Sequence, residues 1–272
     1  MDNKVSAMPN QKESFEMVND DLSYKLQSNA LEKQRKARQK LLSLFESSPL
    51  PIEHLLVNLG LYQRSSVVAK FLYLNELYQN VMHIPGVIME FGVWWGQTLV
   101  QFENLRAVYE PYNYTRKVVG FDTFEGYPEA HADKDGQSEL VKNGQYAVTA
   151  NYIEHLSELL DYHEIENTMS HVKKYDLVKG DASHTIQTYL NEHPETIIAL
   201  AYLDMQLYEP TKAVLEAIRP YLVKGSVIAM DELNCADFPG ETIAFKETFG
   251  LDKYKIRRSN FLPDRSFIVV GE

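Results

Sequence analysis

Three carboxylates follow two apolar runs of the chain and are the clearest candidates for chemistry. Asp204 comes after the run Ile197–Leu203, and Asp231 with Glu232 come after the run Ser226–Met230. If both runs are parallel strands of one sheet, their carboxyl ends lie at the same edge and the three side chains converge. Carboxylates placed together repel each other unless a cation lies between them, and Mg²⁺ prefers oxygen ligands. The pattern favours a divalent-metal site; in the alternative, Asp204 and Asp231 cap the following loops and Glu232 lies in solvent.

A glycine-containing turn follows the apolar run Val87–Phe91 and leads into a helical pattern at Thr98. In a parallel sheet such a turn lies at the carboxyl end of a strand, where ligands bind and where glycine lets the backbone approach them. The strand carries an acid, Glu90, which indicates that the ligand is not simply a phosphate. Gly92 and Gly96 alone are a weak motif, because many α/β proteins have a glycine turn after a strand.

Two further strand ends carry acids that suit a nucleoside. Asp122 follows the run Lys117–Phe121, at the position where nucleotide-binding folds hold ribose hydroxyls. It lies about thirty residues after Glu90, farther than the roughly twenty of the dinucleotide fingerprint, and the first loop lacks that fingerprint's third glycine, so a nicotinamide cofactor is disfavoured. Asp181, after the run Tyr175–Val178, either hydrogen-bonds an adenine edge or only caps the next helix.

The apolar runs alternate with helical patterns, as is typical of an α/β fold. The runs are continuous rather than alternating, which suits strands buried on both faces of a parallel sheet. Helices are predicted between them over Thr98–Tyr109, Tyr152–Leu160, Ser183–Glu192 and Thr211–Pro220. The segments Tyr254–Arg258 and Phe267–Val270 predict a closing β-hairpin. We therefore predict a mostly parallel sheet with helices on both faces and an antiparallel C-terminal hairpin strand.

Helical patterns also precede the first strand, over Leu22–Phe45, Ile52–Leu59 and Ser65–Gln79. They predict a helical extension that covers the sheet edge or contacts a second subunit, and residues 1 to about 20 are predicted to be a mobile tail. The chain is accordingly divided into a tail and helical extension, residues 1–80, and a ligand-binding domain, residues 81–272. A polar insertion, Ala130–Gln145, is either a lid or a simple mobile loop.

The composition of the chain disfavours some classes of binding partner and indicates the cellular compartment. A net charge of −11 over 272 residues and a pI of about 5.3 disfavour nucleic acid and anionic membranes as partners. A single cysteine, Cys235, excludes an intramolecular disulfide and fits a reducing compartment. No apolar run approaches membrane-spanning length, so we expect a cytoplasmic protein. Neither a GxSxG elbow nor a Ser-His-Asp order supports acyl transfer.

From about Ile84 to Gly250 the chain resembles the macrocin O-methyltransferase family of S-adenosylmethionine-dependent enzymes. The most specific segment is Phe121–Glu129, FDTFEGYPE, where nine positions agree in type and order. The other matching segments are Glu90–Gly96, Leu203–Thr211, Gly225–Glu232 and Phe238–Gly240. The resemblance implies a class I methyltransferase fold with a Rossmann-like sheet, S-adenosylmethionine as cofactor, and O-methylation as the reaction.

The resemblance also implies roles for individual residues. The first glycine loop would hold the methionine part of the cofactor, Asp122 the ribose hydroxyls and Asp181 the adenine. The implied cofactor-binding set is Glu90, Phe91, Gly92, Val93, Trp94, Gly96, Thr98, Asp122, Thr123, Phe124, Gly180, Asp181, Ala182 and Ser183. Asp204, Asp231 and Glu232 match the family's divalent-metal positions, with Mg²⁺ as the expected ion.

Three positions depart from the related patterns. Gln206 stands where the family often has a second acid, and Asp231-Glu232 stands where Asp-Asp is common. The longer side chain of Glu232 would shift a bound ion. Leu207 stands where catechol-type O-methyltransferases have a lysine base, so a lysine base at that position is excluded.

The resulting hypothesis is O-methylation of a hydroxyl on a sugar, a glycoside or a nucleotide sugar. A Mg²⁺ ion that chelates two hydroxyls would fix their geometry and make one of them more acidic. Asp204 is the candidate catalytic base, with His131 as an alternative, while Tyr127 and Tyr208 are either walls of the acceptor pocket or ordinary aromatic packing. The competing hypotheses are a nucleotide-dependent oxidoreductase on a similar fold and a non-catalytic S-adenosylmethionine-binding partner. A homo-oligomer formed through the N-terminal helices is expected.

Overall fold

The computed structural model describes residues 31–131, 133–136, 141 and 143–272. The predicted tail, the start of the first predicted helix and part of the Ala130–Gln145 insertion lie outside the described residues. The helices are α1 (Glu32–Glu46), α2 (Ile52–Val57), α3 (Ser65–Val81), α4 (Gln97–Tyr109), α5 (Tyr152–Glu166), α6 (Ala182–Glu192), α7 (Tyr208–Ile218) and α8 (Pro239–Thr248), with short 3₁₀ helices at Leu59–Tyr62 and Arg219–Tyr221. The strands are β1 (Val87–Phe91), β2 (Val118–Asp122), β3 (Tyr175–Lys179), β4 (Ile198–Leu203), β5 (Leu222–Met230), β6 (Arg257–Arg258) and β7 (Ser266–Val269).

The seven strands form one sheet in the order β3-β2-β1-β4-β5-β7-β6. Strands β1 to β5 run parallel, β7 pairs antiparallel with β5, and β6 pairs antiparallel with β7. The predicted mixed sheet with an antiparallel C-terminal hairpin is confirmed. The strand order reverses at β1, and ligands of open α/β sheets bind at the carboxyl ends of the strands beside such a reversal.

Helices cover both faces of the sheet because both faces of its central strands are apolar. On one face, residues such as Ile88, Leu200 and Val227 pack against α3, α4 and α5. On the other face, residues such as Met89 and Ile228 pack against α6, α7 and α8. Consecutive residues of β1 therefore enter different cores, which explains why the strand is a continuous apolar run.

The N-terminal helices differ in how they are packed. Helix α3 is part of the sheet's core, because Tyr73, Leu74, Leu77, Tyr78 and Val81 are fully buried. Helices α1 and α2 have no buried residue. The division of the chain at residues 80 and 81 stays a prediction, although α3 lies against the same sheet as the rest of the domain. None of the described helices is both long and apolar enough to cross a membrane.

Candidate functional site

Two adjoining cavities lie at the carboxyl ends of the central strands. The first, here called the strand-end cleft, is lined by residues that follow β1, β2, β3 and β4. The second, here called the α3 cavity, has a volume of about 280 Å³ and lies between the β1 turn, the start of α4 and helix α3. Gly92, Trp94 and Asp204 line both cavities. The two cavities therefore share one wall, at the reversal of strand order between β1 and β4.

Gly92 allows the β1 turn to pass directly beside the end of β4. Its φ of 93° lies in a region that residues with a side chain rarely adopt, and a Cβ atom at this position would overlap the carbonyl oxygen of Asp204. The backbone N–H of Asp204 donates to the carbonyl of Phe91 at 2.8 Å. The close approach of the two strand ends thus depends on glycine at position 92.

Glu90 contributes a buried carboxylate to the α3 cavity. It is 1% exposed, and its Oε2 atom has no hydrogen-bond donor among the described residues. Burial raises the pKa of Glu90 well above its usual value, and the positive charge of Lys70 is the largest influence that opposes this rise. An acid in this position is satisfied by a cationic or hydrogen-bond-donating ligand.

Asp122 and Asp181 line the strand-end cleft from the ends of β2 and β3. The Asp122 carboxylate accepts hydrogen bonds from the backbone N–H groups of Trp94 at 2.8 Å and Phe124 at 2.6 Å, and burial raises its pKa despite these bonds. Asp181 caps helix α6, accepting from the backbone N–H of Ser183 at 2.8 Å. Capping uses only one carboxylate oxygen and leaves Asp181 in the cleft wall, so the two expected roles of this residue are compatible.

Asp204 lies between the two cavities and is half-buried. Gln206, which stands where the resemblance implies an acid, donates from Nε2 to Asp204 Oδ1 at 2.7 Å. The hydroxyl of Tyr127 hydrogen-bonds the side-chain carbonyl of Gln206, and Tyr127 and Tyr146 both line the cleft with ring centroids 4.9 Å apart. An amide at position 206 therefore orients Asp204 and the aromatic wall of the cleft together.

Asp231 is buried beside Asp204, and its charge is balanced by a residue of the closing hairpin. Arg265 forms an ion pair through Nε with Asp231 Oδ1, and the hydroxyl of Tyr202 donates to the same oxygen at 2.8 Å. Burial, and next the charge of Asp204, raise the pKa of Asp231, while Arg265 opposes the rise. The backbone N–H of Glu232 donates to Glu241 Oε1 at 2.9 Å, so another buried acid joins the group.

The predicted metal ligands have the oxygen donors that Mg²⁺ prefers, but they are not gathered into a three-ligand site. In the part of the chain that the structure describes, no group of three or more His, Cys, Asp or Glu side chains is arranged to hold a metal ion. Asp231 and Glu232 line neither cavity. The donor chemistry therefore fits a divalent cation, whereas one oxygen of Asp231 already pairs with a guanidinium.

Most of the predicted cofactor-binding residues line one or both cavities. They are Glu90, Gly92, Val93, Trp94, Thr98, Asp122, Thr123, Gly180, Asp181 and Ala182. The other four lie just behind: Phe91 stacks on Phe121, Gly96 precedes α4 in a left-handed conformation, and Phe124 and Ser183 donate backbone hydrogen bonds to Asp122 and Asp181. These four contribute to the shape of the walls.

Tyr208 and His131 lie outside both cavities. Tyr208 is 3% exposed, donates its hydroxyl to Glu247 at 2.6 Å and lies under the ammonium group of Lys134 at 3.6 Å. The ring of His131 packs edge-on against Tyr208. The structure thus brings Tyr127 to the cleft and leaves Tyr208 in a packed polar cluster on α7.

Several site residues were missed by sequence reasoning: Lys70, Tyr146, Tyr202, Glu241 and Arg265. Lys70 belongs to a helix before the sheet, and Arg265 lies 34 residues after Asp231 in a turn of the hairpin. Neither position directly follows a strand, so neither carries the pattern that marks a strand-end site residue. Tyr202 and Glu241 carry no signal beyond their place in an apolar run and a helix.

The sheet order, the reversed last strand and a cavity at the ends of β1 and β4 define a class I methyltransferase fold. The model of the macrocin-O-methyltransferase (TylF) family matches residues 70–253. The chain belongs to this family.

Solved structures and a curated relative agree with this assignment. The calicheamicin methyltransferase CalS11 is 44% identical, with a TM-score of 0.87 over 90% of this chain and 95% of that one. The apo structure of CalS11, described as a TDP-rhamnose 3'-O-methyltransferase, is 42% identical with a TM-score of 0.79, over 90% of this chain and 97% of that one. An 8-demethyl-8-(2,3-dimethoxy-alpha-L-rhamnosyl)-tetracenomycin-C 4'-O-methyltransferase of Streptomyces olivaceus is 27% identical over 157 residues, 55% of this chain. The chain spans 53% of the length of that relative.

Proposed function

We propose that this chain is an S-adenosylmethionine-dependent O-methyltransferase that acts on a hydroxyl of a sugar, carried by a nucleotide or by a glycosylated natural product. The observation that carries the proposal is the position of Asp204, which lines both the α3 cavity and the strand-end cleft. The acceptor hydroxyl must lie in line with the donor's methyl group and within reach of a group that takes its proton. Family membership favours this function over the oxidoreductase alternative.

The donor site is supported by the chemistry of three acids. Glu90 has an unpaired, buried carboxylate oxygen and suits the cationic methionine end of S-adenosylmethionine. Asp122 accepts two backbone hydrogen bonds and retains lone pairs for the ribose hydroxyls, while Asp181 lines the cleft beyond it. The sulfonium of the bound donor supplies an electrophilic methyl group.

In the proposed reaction Asp204 takes the proton of the acceptor hydroxyl, whose oxygen would receive the methyl group of the bound donor while the donor's sulfonium would become a neutral thioether. Gln206 holds the Asp204 carboxylate through a 2.7 Å hydrogen bond and leaves the other carboxylate oxygen for the proton. Tyr127 and Tyr146 form the wall on the acceptor side. Tyr208, buried on α7 and outside both cavities, is not part of this proposal.

The proposed acceptor class follows from the relatives. Two solved structures of a calicheamicin enzyme, one of them described as a TDP-rhamnose 3'-O-methyltransferase, share more than two fifths of their residues with this chain over nine tenths of its length. The tetracenomycin enzyme is named for methylation of a rhamnosyl group. A deoxysugar hydroxyl is therefore the first acceptor to test.

Transfer of a labelled methyl group from S-adenosylmethionine to TDP-rhamnose, monitored in wild type and Asp204→Asn, tests the proposal. We expect Asp204→Asn to lower kcat by roughly 10²- to 10⁴-fold, the usual contribution of a general base. Its affinity for S-adenosylhomocysteine should change by less than about threefold, because Glu90 and Asp122 are unchanged. Asp252→Asn, at an exposed position that lines neither cavity, is the matched control. Wild-type kcat in Asp204→Asn would show that another group removes the proton, and no binding of S-adenosylhomocysteine would overturn the proposed function itself.

We also propose that a bound Mg²⁺ ion takes part in the reaction. Asp204, Asp231 and Glu232 would supply its oxygen ligands, and the ion would make a bound hydroxyl more acidic. Because Gln206 already holds one oxygen of Asp204, an ion on the other oxygen would replace Asp204 as the group that activates the hydroxyl. The Asp231–Arg265 ion pair weighs against a site of three free carboxylates. Methyl transfer measured in EDTA and again after Mg²⁺ is added tests this role. Activity that is lost in EDTA and restored by Mg²⁺ supports the ion. Activity that changes in neither condition contradicts the role of the ion and leaves the methyltransferase proposal unchanged.

We also propose that the chain forms a homo-oligomer through its N-terminal helices. Large apolar side chains of α1, α2 and α3 are exposed, among them Leu42, Phe45, Leu56, Val57 and Leu72. An exposed apolar surface of this kind is typical of a protein contact. Light scattering on wild type and Leu56→Asp should show an oligomer that the substitution dissociates; a monomeric wild type would contradict the proposal.

A further inference from the structure

Helix α3 contributes one charged residue, Lys70, to the wall of the α3 cavity. Lys70 is partly buried, and its ammonium group makes no hydrogen bond or ion pair with another described residue. It is also the one cationic side chain among the described residues that line the α3 cavity or the strand-end cleft. A lysine that lines a cavity without a hydrogen bond or a close ion pair suits an anionic group of a ligand.

Side chains of opposite charge, Glu90 and Lys70, line the α3 cavity. Glu90 presents the buried carboxylate oxygen that lacks a donor. Gln97 and Thr98, the first residues of the 13-residue helix α4, also line this cavity. The N-terminal turn of a helix presents unpaired backbone N–H groups and a partial positive charge, which favour an anion. The cavity is therefore complementary to a group that bears both a cation and an anion.

We propose that Lys70 binds the α-carboxylate of the methionine part of S-adenosylmethionine, while Glu90 faces its α-ammonium group. This inference rests on the proposed function, since it names the contacts of the same donor. It gives helix α3 a role in binding as well as in packing. The family model begins to match the chain at residue 70, within this helix.

A competing explanation is that Lys70 only offsets the negative charge of Glu90 and Asp204. Both acids line the cavity, yet neither forms an ion pair with Lys70. The two explanations differ in what they require of the ligand. A lysine that binds the carboxylate matters only for ligands that have one, whereas a lysine that offsets the acids affects every ligand of the cavity.

Calorimetry with two probes distinguishes them: S-adenosylhomocysteine, and its decarboxylated analogue 5'-(3-aminopropylthio)-5'-deoxyadenosine, which keeps the amine and lacks the carboxylate. We expect wild type to bind S-adenosylhomocysteine roughly 10- to 100-fold more tightly than the analogue, the range of a charge-assisted hydrogen bond. Lys70→Met should lower the affinity for S-adenosylhomocysteine by a similar factor. It should change the affinity for the analogue by less than about threefold. Lys70→Arg should retain most of the preference, and Lys40→Met on exposed α1 should retain all of it.

Equal weakening of both probes by Lys70→Met, or no weakening of either, would overturn the proposal. Equal binding of both probes by wild type would overturn it without any variant, so a misfolded Lys70→Met cannot leave the question open. These outcomes differ from a failure of the proposed function, in which wild type binds neither probe.

Discussion

At the scale of single residues, Glu90 destabilises the unliganded fold at neutral pH and is suited to bind a cationic group. It is buried with a carboxylate oxygen that no described residue satisfies, and burial raises its pKa well above the usual value. A group whose folded-state pKa is raised favours the fold at low pH and loses that contribution as the pH rises toward the folded-state value. The unliganded protein therefore carries a destabilising acid at neutral pH, in a cavity that suits a cation.

Glu90→Gln should consequently stabilise the unliganded protein and weaken donor binding. We expect the free energy of unfolding to rise by about 1 kcal/mol or more at pH 8, because one pKa unit corresponds to about 1.4 kcal/mol, and the gain should shrink as the pH falls toward 4.5. Affinity for S-adenosylhomocysteine should fall at least about tenfold through loss of a charge-assisted hydrogen bond. Denaturant titration and calorimetry measure the two effects.

Glu216→Gln, at an exposed position of α7, should change neither quantity and serves as the control. A Glu90→Gln protein that is less stable than wild type and binds the ligand normally would show that the carboxylate serves packing and not the donor.

At the scale of elements, Arg116 connects the end of α3 to the start of the sheet. It is 1% exposed and donates to the carbonyls of Val81 at 3.0 Å, Ile84 at 2.7 Å and Gly86 at 2.6 Å. Its Nε atom also donates to Glu110 at 2.8 Å. One guanidinium thereby binds the last carbonyl of α3 and two carbonyls of the connection to β1, and pairs with the acid that follows α4.

Replacing Arg116 should thus uncouple α3 from the sheet. We expect Arg116→Met to lower the free energy of unfolding by about 3–5 kcal/mol, the usual cost of leaving a buried charge and its acceptors unpaired. Arg116→Lys should recover only part of this loss, since a single ammonium lacks the planar fork that reaches several carbonyls. Lys117→Met, one residue later and partly exposed, should cost less than about 1 kcal/mol. Urea denaturation of the four proteins makes the comparison, and a loss of less than about 1 kcal/mol in Arg116→Met would contradict it.

The elements that the sequence predicts well are those with a clear apolar pattern or with a helix-capping residue at their start. The run Val87–Phe91 coincides with β1, and the expected helix at Ser183–Glu192 differs from α6 by one residue, because burial on both sheet faces and an N-cap leave local marks. Strand-end acids such as Glu90 and Asp122 can be found for the same reason. The ion pair between Asp231 and Arg265 could not be predicted, since it joins a strand end to a hairpin turn through tertiary packing alone. The role of Lys70 could not be predicted for the same physical reason, because the sequence of a helix does not show which of its residues line a cavity.

At the scale of the whole molecule, burial of acids sets the response to pH. Burial raises the pKa of the described acids Glu90, Glu103, Asp122, Asp135, Asp231, Glu232 and Glu241. Each favours the fold at low pH and loses that contribution as the pH rises through its folded-state pKa. The stability of the unliganded protein should therefore decline from mildly acidic to alkaline pH, over the range in which these groups ionise.

Glu103 contributes to this response from a buried cluster between α4, α5 and the start of β3. Glu164 pairs with both cations of the cluster, since it accepts from Arg106 and, at 2.6 Å, from Lys174. Arg106 lies 3.6 Å from Glu103, whose carboxylate oxygens accept no hydrogen bond from another described residue. Burial, and next the neighbouring Glu164, raise the pKa of Glu103 to about 9. Both cations lie closer to Glu164 than Arg106 lies to Glu103, so Glu164 is the ionised acid and Glu103 keeps its proton below a pKa of about 9.

Glu103→Gln should accordingly flatten the pH dependence of stability. Between the ordinary pKa of a glutamate and about 9, the folded wild type keeps a proton that the unfolded chain releases, which lowers its stability by about 1.4 kcal/mol per pH unit. The glutamine mimics the protonated acid, so the variant should lose about 1 kcal/mol per pH unit of this slope and be more stable than wild type at pH 8. Denaturant titrations at pH 6, 7, 8 and 9 measure the slopes, with Glu158→Gln, exposed on α5, as the control. Equal slopes in wild type and Glu103→Gln would mean that Glu103 is ionised in the fold and that Arg106 divides its charge between the two acids.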